Sequence, residues 1–498
     1  MQYVSTRGAA PSIHSQKAII KGIAEDGGLY VPSAFPPLGP HPFSGLTGNF
    51  YAERATEILK PFLTDYAGSD LLSACREAYG RNFDSTSTAP VKFLADGTAV
   101  LELWHGPTQA FKDMALQLMP RLLSLALKDE GERYEVVILV ATSGDTGKAA
   151  LEGFADAEGV RIFVFYPHEG VSEIQRLQMA TQQGSNVGAC SVKGNFDDAQ
   201  AGVKKIFSDP IINGKLEAFH FRLSSANSIN WGRLAPQIAY YFTGYEDMTR
   251  AGKVQPGRPI LICVPTGNFG NILAAYYAIR CGLPVSKLIC ASNRNNILSD
   301  FISSGVYDRR REFYRTESPS MDILVSSNLE RLLFELSFRR PEVVSRWMAD
   351  LSGKGWYEIT PAGLEELRKL FHGGFADRRE TLRAIKQAFQ EQGYVMDTHT
   401  AVGYSVLQQY RQETGDGSPA LLASTASPFK FNQAVLEALG RNTAGKDEFT
   451  LLEELSAVSG LPVPAKLAEL RSLPELHREI CAREEMAEAL LKFLGIDS

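Results

Sequence analysis

The chain is short of the features that mark metal, nucleic-acid or membrane work. None of its six cysteines forms a CxxC pair, and its eight histidines are scattered, with no HExxH and no His/Cys cluster, so a metal site is not supported. Cys75, Cys190, Cys263, Cys281, Cys290 and Cys481 lie mostly in runs that read as strands or helices, as reduced, buried thiols of a cytoplasmic protein would. No long basic run occurs and the formal net charge is −6, which makes nucleic acid and anionic membrane poor partners. No stretch has the apolar length of a membrane span. The opening MQYVSTRGAAPSIHSQ has no apolar h-region, so no secretory signal is visible and the cytoplasm is the expected location.

What is present is ample material for buried cores: 498 residues, 44% of them apolar, which predicts two or three domains. Residues 30–46 are rich in Pro and Gly and read as a loop. Helical patterning follows from about Tyr51 to Tyr79, and a small N-terminal unit ends near residue 90. EVVILVA (135–141) then reads as a buried strand, TSGDTG (142–147) as a tight turn, KAALEGFADAEG as a helix ending at Gly159, and VRIFVFYP (160–167) as the next strand. Strand, helix, strand at this spacing is a βαβ unit and implies a parallel sheet. The pattern returns as the strand PILICVP (259–265), the turn TGNFGN (266–271), a helix capped by Gly282 and the strand LPVSKLICAS (283–292). Residues 326–386 read as helix-rich without strand signal. ALLASTA (420–426) reads as a last strand, and the charged tail from Pro462 as a solvated capping helix.

Several runs have the residue types that chemistry needs. Lys112, in LWHGPTQAFKDMALQLM, opens an apolar helical segment; a lysine held against apolar surface loses hydration, and its amine becomes nucleophilic near neutral pH. On that run alone an ordinary helix-start lysine is the favoured reading. TGNFGN and TSGDTG are glycine-rich strand-to-helix turns, whose aligned N–H groups and helix dipole suit an anion. Neither has G-x-x-x-x-G-K-[ST] or G-x-G-x-x-G spacing, so neither is an NTPase loop or a nicotinamide site. Ser143, Asp145 and Thr146 offer hydroxyls and an acceptor suited to a small polar group; N-capping by Asp145 or Thr146 is the alternative. GNFDDAQ reads as an N-cap. NSINWGRL gathers Asn227, Ser228, Asn230 and Arg233; Arg233 can grip a phosphate or carboxylate bidentately, or be a surface arginine. In STASPFKF, Thr425 falls where a strand end exposes a hydroxyl, and Lys430 reads as a solvated surface charge.

In chain order STRG, KGIAEDGGLYVP, HGPTQAFKD, TSGDTG, GNFDDAQ, NSINWGRL, VPTGNFGN, SSNLERLLFEL, DTHTAVGY and STASPFKF resemble threonine synthase, of the fold type II enzymes dependent on pyridoxal 5'-phosphate (PLP). The resemblance covers nearly the whole chain and is to the longer microbial and fungal type. It implies an α/β fold of the tryptophan synthase β-like kind: a small N-terminal domain (1–90), a catalytic region of two parallel-sheet subdomains (91–440) and a helical C-terminal segment (441–498). It implies Lys112 as the lysine that binds PLP covalently and serves as general base. Gly267, Asn268, Phe269, Gly270 and Asn271 would cradle the PLP phosphate, Thr425 would face the pyridine nitrogen, and Asp145 the ring oxygen. Ser143 and Thr146 would lie near the substrate carboxylate, and Asn227, Ser228 and Arg233 near its phosphate. Three positions depart from the pattern: Asp145 stands where many fold relatives have Asn, Ser427 where His is frequent, and Lys148 where small residues are common.

The implied reaction converts O-phospho-L-homoserine and water to L-threonine and phosphate by β,γ-elimination and β-addition of water, the last step of threonine biosynthesis, in a monomer or homodimer. Three other readings stay open: a PLP lyase that eliminates phosphate and yields a 2-oxo acid, a serine or threonine dehydratase, and a PLP-binding protein without catalysis.

Overall fold

Short apolar, β-branched runs bounded by glycine turns become the central strands of two parallel sheets. A computed structural model describes residues 1–46, 50–85, 87–142, 144–169 and 171–496. One sheet has five strands in the order Glu479–Cys481, Val187–Val192, Val160–Pro167, Glu135–Ala141 and Phe221–Ser224, every pair parallel. The other has six in the order Phe371–Phe375, Val285–Ser292, Ile260–Pro265, Ala420–Ser424, Thr98–Glu102 and Val91–Phe93, with only the last pair antiparallel. Their central strands are buried on both faces, which is why they read as continuous apolar runs.

Helices cover these sheets. Gly270–Arg280 follows the strand Ile260–Pro265 and is buried from Gly270 to Ala278, so it is apolar nearly all round. Asp145–Phe154 follows Glu135–Ala141 and ends five residues short of Gly159, which turns the chain into the next strand at φ +74°. Asn195 caps Phe196–Ser208 through a reciprocal capping box with Asp198.

Near the N-terminus Gln2–Ser5 lies between Ile13–His14 and Tyr30–Pro32 in a three-stranded antiparallel sheet, followed by the helices Tyr51–Leu59 and Gly68–Ala78. This unit is packed onto the rest through Trp231, fully buried, whose ring centroid lies 5.1 Å from that of Tyr3 and 5.8 Å from that of Phe62.

Three stretches differ from the sequence reading, the first being residues 30–46, which open with the strand Tyr30–Pro32. Residues 326–386 contain strands: Trp356–Glu358 pairs with Val306–Asp308, and Phe371–Phe375 forms the edge of the six-stranded sheet. That edge strand is FHGGF; Gly373 and Gly374 lie so close to Ser299 and Val406 that a Cβ on them would clash, at 2.8 and 2.6 Å, so contact with a helix replaces the alternating side chains that announce a strand. The tail is not a solvated capping helix. Glu479–Cys481 extends the five-stranded sheet, and Met486–Phe493 buries Met486, Ala489, Leu490 and Leu491 against it.

Candidate functional site

Five of the segments singled out above leave the carboxyl ends of strands. HGPTQAFKD follows Thr98–Glu102, TSGDTG follows Glu135–Ala141, NSINWGRL follows Phe221–Ser224, TGNFGN follows Ile260–Pro265 and STASPFKF follows Ala420–Ser424. In open α/β sheets that end is where crevices form and ligands bind.

Lys112 caps the short helix Asp113–Leu116, and its side chain is 9% exposed. Its Nζ lies 3.4 Å from Asp145 Oδ2 and 3.4 Å from Ser320 Oγ, both long contacts. Burial holds the amine below the ordinary lysine range; Asp145 opposes this, and the positive charges of Lys430 and Arg233 add to it. Asp145 does not cap its own helix. That role falls to Thr142, whose Oγ1 accepts from the N–H of Gly144 (3.0 Å) and Gly147 (2.9 Å). The Asp145 carboxylate turns instead to the lysines, and although burial works to raise its pKa, Lys430 and then Lys112 hold it far below the usual carboxylate range.

Lys430 is not a surface charge. Its side chain is 1% exposed, with Nζ 2.5 Å from Asp145 Oδ1 and donating to the Thr108 carbonyl at 3.1 Å. Arg233 is also buried, at 5% exposure; its Nη1 donates to the Ala226 carbonyl at 2.7 Å, and among the described residues no carboxylate pairs with it. Burial lowers its pKa to about 10.

The turn 266–271 stands beside this cluster. A Cβ on Gly267 would lie 2.6 Å from the carbonyl oxygen of Ser320, the residue that reaches Lys112. Phe269 holds a left-handed backbone (φ +64°) at the start of Gly270–Arg280. Among the described residues no protein acceptor takes the N–H groups of residues 267–271, and the side-chain Nδ2 of Asn271 is buried without a partner. Asn271 Oδ1 accepts from Tyr240 at 2.7 Å and from Tyr241. Unclaimed N–H groups at a helix N-terminus make a cradle for an anion such as a phosphate.

The remaining expected residues divide. Thr425 is buried, and its carbonyl accepts the N–H of Phe111 at 2.8 Å, which places it against the Lys112 segment. Ser228 lies beside the glycine turn: its Cβ is 3.5 Å from where a Cβ of Gly270 would be, and its Oγ accepts from Asn328 at 2.9 Å. Thr146 is half-buried next to Asp145. Asn227 is exposed, and no side-chain contact joins it to the others among the described residues. Asn230 is structural, capping Trp231–Leu234 and donating to the Ile19 carbonyl at 2.9 Å. Lys148 pairs with Glu152 at 2.8 Å. Ser143 lies outside the described residues.

Ser320 and His399 escaped the residue-by-residue reading. His399 is buried, its Nδ1 is 3.0 Å from Asp397 Oδ1, and its Nε2 accepts the N–H of Ser320 at 3.2 Å. With Nδ1 facing a carboxylate and Nε2 an N–H, the proton belongs on Nδ1. DTHTAVGY was the available signal, because Asp397 and His399 sit in it two residues apart.

Three family models match the chain: threonine synthase N terminus over residues 2–79, pyridoxal-phosphate dependent enzyme over 98–425, and threonine synthase, C-terminal over 400–488. Human threonine synthase-like 1 is 38% identical over 97% of this chain, which spans 67% of that protein. Threonine synthase of Pseudomonas aeruginosa is 42% identical over 88% of this chain and 90% of its own. The crystal structure of PLP-bound threonine synthase from Brucella melitensis superposes with a TM-score of 0.87 at 37% identity, covering 99% of both chains.

Proposed function

The chain belongs to the threonine synthase family of PLP-dependent enzymes, and on that footing we propose that it converts O-phospho-L-homoserine and water to L-threonine and phosphate. The observation that carries the reading is the junction of the buried Lys112 amine, through Ser320, with the unclaimed N–H groups of residues 267–271. An aldehyde on a phosphate-bearing cofactor needs that pair: an unprotonated amine to bond and an amide cradle to anchor it.

In this reading Gly267, Asn268, Phe269, Gly270 and Asn271 bind the cofactor phosphate, and the orphaned Asn271 Nδ2 is a further donor for it. Thr425 would hold the ring nitrogen and Asp145 the ring oxygen. Bound PLP supplies an electron sink for negative charge developing on the substrate. Lys112 would hold PLP covalently and, as a free amine, would take the proton from the substrate α-carbon and return protons along the chain. Arg233, with no carboxylate of its own, takes the substrate phosphate, helped by Ser228 and Asn227; Ser143 and Thr146 receive the carboxylate. Arg233 is held by the Ala226 carbonyl and Ser228 by Asn328, so the anion meets groups already in position.

The test is a visible spectrum of the purified protein, followed by O-phospho-L-homoserine and assay of the products. A cofactor band that borohydride fixes onto Lys112, with phosphate and threonine released in equal amounts, supports the reading. Phosphate with 2-oxobutyrate moves it to the lyase reaction, and no band after PLP is added overturns it.

A further inference from the structure

One buried carboxylate serves two lysines in this crevice, and it serves them unequally. Asp145 Oδ1 is 2.5 Å from Lys430 Nζ, whereas Oδ2 is 3.4 Å from Lys112 Nζ. The side chains of Lys430 and Asp145 are 1% and 5% exposed, so water does not screen the pair. Both lysines are mounted on one rigid piece. Ala110 and Ala426 form a β-bridge, the N–H of Ser427 donates to the Gln109 carbonyl at 3.1 Å, and Lys430 itself donates to Thr108, four residues before Lys112. The segments that carry the two lysines are therefore held together through backbone.

The charge count points the same way. The groups around Lys112 Nζ are Asp145 on the helix Asp145–Phe154, Lys430 on the turn Pro428–Phe431, Arg233 on the turn Trp231–Leu234, and the hydroxyl of Ser320. His399, whose Nε2 accepts the N–H of Ser320, also acts on Asp145 from the helix Thr398–Thr414. Asp113 points away to Thr108, accepting from its N–H at 2.8 Å and its hydroxyl at 2.7 Å, and Glu152 pairs with Lys148. Lys430 and Lys112 thus share one carboxylate, and Arg233 adds a further positive charge acting on Lys112. Arginine does not give up its proton and Lys430 holds the short contact, so Lys112 is the group that relieves the excess by losing one.

We propose that Lys430 is a positioning residue: its ammonium takes the Asp145 carboxylate into an ion pair of its own and so keeps that carboxylate from clamping Lys112 as an ammonium. The inference rests on the proposed function for what the free amine is used for, but not for the state of the amine itself. Lys430 touches no reacting atom in this account; it acts through Asp145.

Two readouts on the full-length protein test it. The first is the pH profile of reductive methylation of Lys112 by formaldehyde and cyanoborohydride, read by peptide mass spectrometry without added PLP. The second is the pH profile of the visible band and of kcat/KM with PLP bound. Lys430→Met leaves Asp145 unpaired and removes a like charge, so both changes raise the pH at which Lys112 becomes reactive, by about 1–3 units. Lys430→Arg restores the wild-type profile. Asp145→Asn combined with Lys430→Met brings the methylation profile back down, because the clamping charge is gone. A Lys430→Met profile that overlays wild type overturns the proposal, and so does a double variant as unreactive as the single one. Lys430→Gln is read alongside as a second neutral variant in case Lys430→Met does not fold. Wild-type protein that shows no PLP band would sink the proposed function, while the methylation profiles would still decide the role of Lys430.

Discussion

Asn328 holds Asn268 twice, donating to its carbonyl from the backbone N–H and from the side-chain Nδ2, each at 3.1 Å. Asn328 in turn receives Arg331, whose fully buried side chain also donates to the Tyr30 carbonyl in the N-terminal sheet. The glycine turn therefore keeps its shape because a different part of the chain grips it. Asn328→Ala keeps the backbone bond to Asn268 and loses the side-chain one, and is expected to weaken PLP binding by about tenfold, with secondary structure unchanged. Titration of apo-protein with PLP by absorbance measures it; unchanged affinity would mean that the turn holds its shape unaided.

Lys112→Ala removes both the covalent anchor and the proposed base. Phosphate release from O-phospho-L-homoserine should fall by at least roughly 10²–10⁴-fold, the contribution of general base catalysis alone. The borohydride-stable adduct should disappear from the peptide containing residue 112. Full turnover in this variant would contradict the central assignment.

Arg233→Ala should raise KM for phosphohomoserine by about 10- to 100-fold, as expected for losing hydrogen bonds from a charged group. The PLP band should remain, because Arg233 is assigned to the substrate and not to the cofactor. Loss of the band with Arg233→Ala, at normal folding by circular dichroism, would exchange the two anion sites.

Gly153 lies where the helix Asp145–Phe154 crosses the Leu116 backbone, and a Cβ there would fall 2.0 Å from the Leu116 carbonyl oxygen. That helix carries Asp145, and Leu116 ends the short helix that Lys112 opens. Gly153→Ala is expected to destabilise the protein by about 1–3 kcal/mol through forced separation of the two helices. A thermal melt reads this, and an unshifted Tm would show that the crossing can yield.

His105 sits between Asp84 (2.6 Å) and Glu102 (2.9 Å). Burial works to lower its pKa, but the two carboxylates win and raise it to about 9. A raised folded-state value means that the contribution to stability is complete below the unfolded pKa of about 6.5 and is lost as pH rises through about 9. His105→Gln should therefore cost stability in urea unfolding near pH 6 and cost progressively less above pH 9. An equal cost at both ends would mean that packing on Trp104, not charge, is what His105 contributes.

The central strands and the glycine turns were legible because their signals are local. EVVILVA, VRIFVFYP and PILICVP are apolar, β-branched and bounded by turns, and each became a strand with those limits or within a residue of them. Glu479–Cys481 left no such trace, since three residues flanked by charge have no period to read. Lys430 and Arg233 show the same limit at the site. Whether a lysine or arginine is buried depends on its partner, and Asp145 reaches Lys430 across 285 positions of chain. Asp145 was visible as a polar residue at a helix start; that it faces two lysines, while Thr142 caps the helix, is a tertiary fact.

The order of strands in the sheets also sets a timetable for synthesis. Ala420–Ser424 is inserted between Thr98–Glu102 and Ile260–Pro265, so strands made early have no hydrogen-bonded neighbour on that side until residue 424 has left the ribosome. The five-stranded sheet waits longer still, its Val187–Val192 edge staying open until residues 479–481 arrive. Such long-range pairing is slow, and an open apolar edge during translation invites association between nascent chains. Of the two sheets, the one that carries the glycine turn 266–271 is completed first, and the C-terminal tail arrives last to seal the other.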